Sequence, residues 1–429
     1  MHSVDVSVVI PVFNSADVLS DCLDGVLAQT LSSIEVICVD DGSTDASAEL
    51  LDRYAQRDDR ITVVHEDNRY AGTARNVGMD RARGTYLYFL DADDMIEPTM
   101  LEHMVDRARS CDADVTICHA DAFDGATDQR WSVKYWFEEN LLPAQRPFSG
   151  DDAASYLFQM CMGWTWDKLF LRSFVAENNM RFQSTRTTND AYFSFSALAR
   201  ARRIIDEPAV YVHHRMNQST SLEHTRARSW GGYLQAILAI EPVLHLVNYD
   251  HFEQSFVNWI LTMTVWNATT LPQVQARKAI KTTRERIEPL VDFDQRESDF
   301  FYDESTAKKY QALMTCSYPI FIKTCRIIDL QDTLDQQDTL IKETKQTVDK
   351  LTACLRDERE LMKKTTADQQ KRLDELQAEC NSRQELIDRS AARIDALHRS
   401  HSWRIGRCVT ALPRAIKRFA HKERKGLDR

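Results

Sequence analysis

The sequence has no Cys-x-x-Cys pair, although ten cysteines are scattered from Cys22 to Cys408. A zinc site or redox dithiol is therefore not written into the spacing, and the cysteines read as reduced, mostly buried thiols. Positive charge is in deficit: with a formal net charge of -11 the bulk of the chain offers no basic face to a phosphate backbone, so nucleic acid is not an expected partner. The first residues lack a basic n-region, an apolar h-region and a small-residue cleavage site, which predicts no secretory signal and a cytoplasmic location. Long hydrophobic runs are missing as well. The best, Phe256 to Leu271, is broken by Asn258 and Asn267 and is shorter than the roughly 20 residues of a membrane span, so it reads as a buried helix. Finally, no Gly-x-Gly-x-x-Gly follows the first apolar run, where Pro11 to Asn14 stands instead. A Rossmann-type oxidoreductase would need that phosphate-cradling turn.

What is present is a globular composition, 43% hydrophobic and 28% charged over 429 residues, enough for two or three folding units. From Val4 to about Asp121, short β-branched runs (Val6 to Val12, Ile34 to Val39, Ile61 to His65, Tyr86 to Leu90, Val115 to Ile117) alternate with helical stretches (Ala16 to Gln29, Ala46 to Arg57, Gly72 to Arg83). This alternation predicts a doubly wound, Rossmann-like α/β sheet flanked by helices, with ligands bound beyond the carboxyl ends of its strands. Residues 149–221 read as a mixed second half of the same domain, giving an expected catalytic domain over 1–222 and a helical extension over 223–326. Residues 328–400 contain no proline or glycine, and Ile327, Leu334, Ile341, Val348, Leu355 and Met362 recur every seven residues, as do Leu373, Cys380, Ile387 and Ile394. That seam predicts a coiled coil over 327–401, with the step from Met362 to Leu373 as a stutter. Polar Gln337, Thr344 and Glu358 at the other seam positions point to weak self-association or a partner. Residues 402–429 form a basic, amphipathic tail suited to an anionic membrane surface or to plain solvation.

Three acidic clusters follow or face the strand ends. Asp40-Asp41-Gly42-Ser43-Thr44-Asp45 comes directly after the second run: a carboxylate there can bind a nucleobase or ribose, while Ser43 or Thr44 caps the next helix. In Asp91-Ala92-Asp93-Asp94, an extended segment would point Asp91 and Asp93 to one side, toward a single divalent cation bridging two phosphates. Oxygen ligands suit Mn2+ or Mg2+. Asp190 opens an apolar helical pattern, where it serves either as a favourable N-terminal charge or as a general base.

Four blocks in order carry a resemblance: Val6-Ser7-Val8-Val9-Ile10-Pro11-Val12-Phe13-Asn14, Val39-Asp40-Asp41-Gly42-Ser43-Thr44-Asp45, Ala74-Arg75-Asn76-Val77-Gly78 and Phe89-Leu90-Asp91-Ala92-Asp93-Asp94. Over roughly the first 220 residues the chain resembles the bacterial family 2 glycosyltransferases. The resemblance implies a GT-A fold, a nucleotide-sugar donor and a divalent cation. Pro11 and Asp41 match residues lining a uracil pocket, and Arg75 matches a position near the nucleotide. Asp93 matches the metal-contacting aspartate, and Asp91 matches its partner, which faces the ribose. Asp190 matches the catalytic base; because Asn189 stands where Glu is frequent, Asp190 is expected to titrate more normally. Trp166-Asp167-Lys168-Leu169 resembles a Trp-Asn-Lys-Leu segment beside donor and acceptor, which places Trp166 and Lys168 at the nucleotide sugar. Residues 213–221 resemble a loop that closes over the diphosphate, with His214 as the candidate metal ligand and His213 as an ordinary surface histidine.

One base and one metal-bound leaving group imply a single in-line displacement that inverts the anomeric centre. The expected enzyme transfers a sugar to a hydroxyl of a glycan or lipid-linked acceptor in surface-polysaccharide or glycolipid synthesis, in the cytoplasm or at the inner face of the membrane. The competing reading is a catalytically silent scaffold acting through its coiled coil.

Overall fold

The computed structural model describes residues 4–127, 129–133, 136–216, 225–362 and 368–399. The chain divides into two compact units, Met1–Met314 and Thr315–Arg429. The first opens with β1 (Val6–Val12), α1 (Leu19–Leu27), β2 (Ile34–Asp40), α2 (Ser47–Ala55), β3 (Ile61–His65), α3 (Tyr70–Arg81) and β4 (Tyr86–Phe89). Every residue of β1 and β2 is buried. Strands covered by helices on both faces are mostly apolar on both, and the polar side chains they bury are paired, as Ser7 Oγ is with Glu35 at 2.7 Å. β1 pairs in parallel with β2 and β4, and β2 with β3.

The second half supplies β5 (Met95–Ile96), α4 (Met100–Ser110), β6 (Val115–Asp124), β7 (Arg130–Trp131), α5 (Leu157–Met160), β8 (Lys168–Leu171), α6 (Arg172–Glu177), α7 (Asn189–Arg200) and β9 (Ile204–Met216). β8 lies antiparallel between β4 and β6, and β5 lies antiparallel on β9. The sheet is therefore mixed, in the order β3-β2-β1-β4-β8-β6-β9-β5 with β7 on β6. β6 continues well past Ile117, where its apolar run stops, because β9 pairs with it as far as Asp124. Ladder hydrogen bonds thus recruit His119, Asp121, His213 and His214 into strands that their hydropathy does not announce.

A helical region follows in the same unit: α8 (Gly232–Val247), α9 (Tyr249–Thr270), α10 (Gln273–Thr282), α11 (Glu288–Val291) and α12 (Glu304–Thr315). The run from Phe256 lies in α9, where Phe256, Val257, Ile260 and Leu261 are buried. Phe158 of α5 packs on Phe256 and Trp259 with ring centroids 5.2 and 5.5 Å apart. Each such side chain contributes about 1.5–3 kcal/mol by leaving water. Among the described residues, no helix is long and apolar enough to cross a membrane.

The second unit contains α13 (Tyr318–Met362) and α14 (Asp368–Arg399). Val348 and Leu355 share a core with Leu373, Cys380 and Ile387. Thr352 Oγ1 lies 3.2 Å from Cys380 Sγ. Residues that far apart in sequence can meet across so short a connection only if the helices run antiparallel. The step from Met362 to Leu373 is therefore a reversal between two helices and not a stutter in one: the seam finds its apolar partner in the other half of the same segment. The basic tail lies outside the described residues.

Candidate active site

The members of the first acidic cluster differ in their partners. Asp40 accepts from the Ser43 backbone N–H (3.0 Å) and bonds the His65 ring (2.9 Å), which fixes the turn. Gly42 sits at φ 73, a conformation open to glycine without strain. Neither Ser43 nor Thr44 caps α2; Asp45 does so, accepting from the Ser47 N–H at 2.9 Å. The shorter side chains are occupied elsewhere: Ser43 Oγ accepts from the Asn14 N–H at 3.1 Å, and the Thr44 hydroxyl donates to Asn14 Oδ1 at 3.3 Å. Asp41 donates its own N–H to the Val12 carbonyl (2.8 Å), next to buried Pro11, and accepts from the Arg69 N–H at 2.7 Å. Burial raises its carboxyl above the ordinary range despite these bonds.

The second cluster is a turn, not the extended segment the sequence suggests: the Asp94 N–H returns to the Asp91 carbonyl at 3.1 Å. The turn gathers three carboxylates. Asp91, Asp93 and Asp94 each bring one oxygen within 4.8 Å of the others. Burial, then the neighbouring Asp94 and Asp91, push Asp93 up to about 7, and burial raises Asp94 as well. Asp93 and Asp94 are desolvated like charges side by side, which a cation would stabilise, and the all-oxygen donor set suits Mg2+ or Mn2+. Asp94, absent from the sequence-based site, joins it through its adjacency to Asp93, the one signal that could have found it.

Arg75 of α3 links this turn to the third element. It is 5% exposed, donates through Nη1 to Asn189 Oδ1 at 2.8 Å and through Nη2 to Asp91 Oδ1, and lies over the Phe182 ring, 5.5 Å from its centroid. Asn189 immediately precedes Asp190 at the start of α7. Asp190 does not titrate normally: burial raises its carboxyl, opposed by the Arg75 charge. The missing acidic neighbour is thus outweighed by loss of water. Both helices begin at strained residues, Tyr70 (φ 72) and Thr188 (φ 61), a conformation costing a non-glycine residue roughly 1–2 kcal/mol.

Around the turn stands an aromatic wall. His214 stacks on Trp166 at 5.2 Å and 9°, and Trp164 stacks on Trp166 at 4.7 Å. His214 Nδ1 bonds Asp94 at 2.9 Å, so only Nε2 is left for a ligand. Burial by itself would lower His214, but the charge and bond of Asp94 overcome it and raise the ring to about 9. Two expectations are corrected here. Lys168 is fully buried, and its three N–H bonds go to the Met162 and Trp164 carbonyls (both 2.9 Å) and to Asp167 (2.7 Å). An ammonium has three donors, so none is left for a sugar, and Lys168 instead locks the segment that presents Trp164 and Trp166. His213 is not on the surface: it is 4% exposed, held between Asp121 (2.6 Å) and Glu97 (2.8 Å). Residues 217–221 of the expected closing loop lie outside the described residues.

Residues 7–172 match the family model "Glycosyl transferase family 2". The chain is 31% identical to the uncharacterized glycosyltransferase EpsJ of Bacillus subtilis, over 52% of this chain and 64% of that protein. It is 30% identical to the uncharacterized glycosyltransferase YibD of Escherichia coli, over 58% of this chain and 73% of that protein. The match thus spans somewhat less than two thirds of EpsJ but more than two thirds of YibD. Its fold is that of S. aureus TarS 1-349, solved with UDP-GlcNAc, at a TM-score of 0.59 and 16% identity over 75% of this chain and 90% of that one. On the strength of the family model and of the YibD match, the chain belongs to glycosyl transferase family 2.

Proposed function

We propose that this chain transfers a sugar from a nucleoside diphosphate, uridine-linked, to a hydroxyl of a glycan or lipid-linked acceptor of the cell surface, with inversion at the anomeric carbon. The observation that carries the reading is the Arg75 bridge, which ties Asp91 of the acidic turn to Asn189 beside Asp190. A donor-binding group and a candidate base are thereby held on one rigid frame, as an in-line displacement requires. Asp41 and Pro11 face the nucleobase, and Asp91 faces the ribose. Asp93, Asp91 and, once deprotonated at Nε2, His214 would hold a divalent cation, which would supply charge to offset that developing on the departing diphosphate.

Asp190 accepts the acceptor's hydroxyl proton while that oxygen bonds to the anomeric carbon and the carbon-to-phosphate oxygen bond breaks. The raised carboxyl of Asp190 makes it a better base than an exposed aspartate, provided it is ionised at the working pH. The Asp190→Asn variant is expected to lose roughly 100- to 10,000-fold in transfer while binding UDP as the parent does, measured by turnover and by calorimetry. Transfer at the parental rate would remove Asp190 from its role.

A further inference from the structure

Arg215 has no role in the mechanism above, yet residues of the acidic turn, α1, β6 and the turn after β6 converge on it. Its side chain is 7% exposed. Nε donates to the Asp93 carbonyl at 3.0 Å, Nη2 donates to Asp21 Oδ2 on α1 at 3.0 Å, and the backbone N–H donates to Asp94 Oδ1 at 3.0 Å. The guanidinium lies over the Phe123 ring of β6, 4.6 Å from its centroid. The turn after β6 is cut to fit it: a Cβ at Gly125 would stand 2.5 Å from Nη1.

We propose that Arg215 is a positioning residue for the acidic turn, setting the cation affinity of Asp91 and Asp93 without touching the cation. The inference rests on the reading of that turn as a cation site. Three carboxylates within 4.8 Å of one another repel, and a turn free to open would relieve them. Arg215 opposes that opening from behind. It holds the backbone at Asp93 by a charge-assisted bond and Asp94 through its N–H, while Asp21 and Phe123 fix the guanidinium plane. A planar fork of donors can bond two acceptors in its own plane while its face lies on an aromatic ring, a combination an ammonium does not offer. The cation then meets oxygens already in place.

The test is titration of the full chain with Mn2+ alone, by calorimetry, beside thermal midpoints without metal, for the parent, Arg215→Lys and Gly125→Ala. Gly125→Ala keeps every charge and crowds the Arg215 side chain, its Cβ falling 2.5 Å from Nη1, so it remains informative if Arg215→Lys folds poorly. Both variants are expected to bind Mn2+ about 10- to 100-fold more weakly, the range for residues supporting a metal ligand. A Gly125→Ala chain that binds Mn2+ with the parental constant would overturn the proposal, even if its midpoint falls, because a purely structural role predicts that pattern. A parent that binds no Mn2+ would sink the cation reading itself and this inference with it.

Discussion

At the scale of single residues, the environment reassigns side chains that look alike in sequence. Asp40, Asp41 and Asp45 are neighbours, yet only Asp41 bonds both Val12 and the residue before α3, while the other two hold turns. Lys168 shows the same effect with opposite charge. Its pairing with fully buried Asp167 makes it a structural residue, and removing one member of a buried pair strands the other charge at a cost of about 3–5 kcal/mol. Lys168→Met is therefore expected to lower the denaturation midpoint strongly, read by chemical unfolding, with UDP affinity measured on the folded fraction near that of the parent. A large loss of UDP affinity with parental stability would restore Lys168 to the donor site. Neither its burial nor its partners Met162 and Trp164 can be seen in a Trp-x-Lys string.

At the scale of elements, periodicity was a good guide where packing is local and a poor one where partners are distant. The runs Val6 to Val12 and Ile61 to His65 match β1 and β3 residue for residue. The second half of β6 interleaves Asp121 and Asp124 with buried Ala122 and Phe123, and β9 pairs along it. The heptads marked the buried seam of α13 and α14 but could not say which helix would cover it. In the structure they cover each other, so truncating a seam residue should leave a cavity on both. Leu355→Ala is expected to destabilise the helical pair by about 2–4 kcal/mol, seen as an earlier loss of helical circular dichroism on heating. An unchanged melting profile would mean that Leu355 lies outside a packed seam.

At the scale of the whole molecule, the acidic turn makes stability depend on pH and metal together. Asp93 is raised to about 7 and His214 to about 9. A carboxyl raised on folding holds its proton where the unfolded chain has lost it, so stability falls as pH climbs from the ordinary carboxylate range through about 7. A raised histidine adds stability below its ordinary value that is lost as pH passes about 9, so the two trends share a sign. The metal-free protein should thus melt at a lower temperature at pH 8 than at pH 6. Mn2+ should raise the midpoint more at pH 8, where Asp93 is already ionised and only the His214 ring has a proton to give up. Equal stabilisation at both pH values would show that Asp93 does not govern binding. The sequence alone determined the parallel strands, the helices between them and the carboxylates at their ends, because hydrophobic periodicity and turn chemistry are local. Only the tertiary structure decided that Asp94 joins Asp91 and Asp93, that Arg75 reaches Asn189, that Arg215 braces the turn and that Lys168 is spent. Each of these rests on desolvation or a hydrogen bond between residues brought together by the sheet, and such contacts leave no period in the chain.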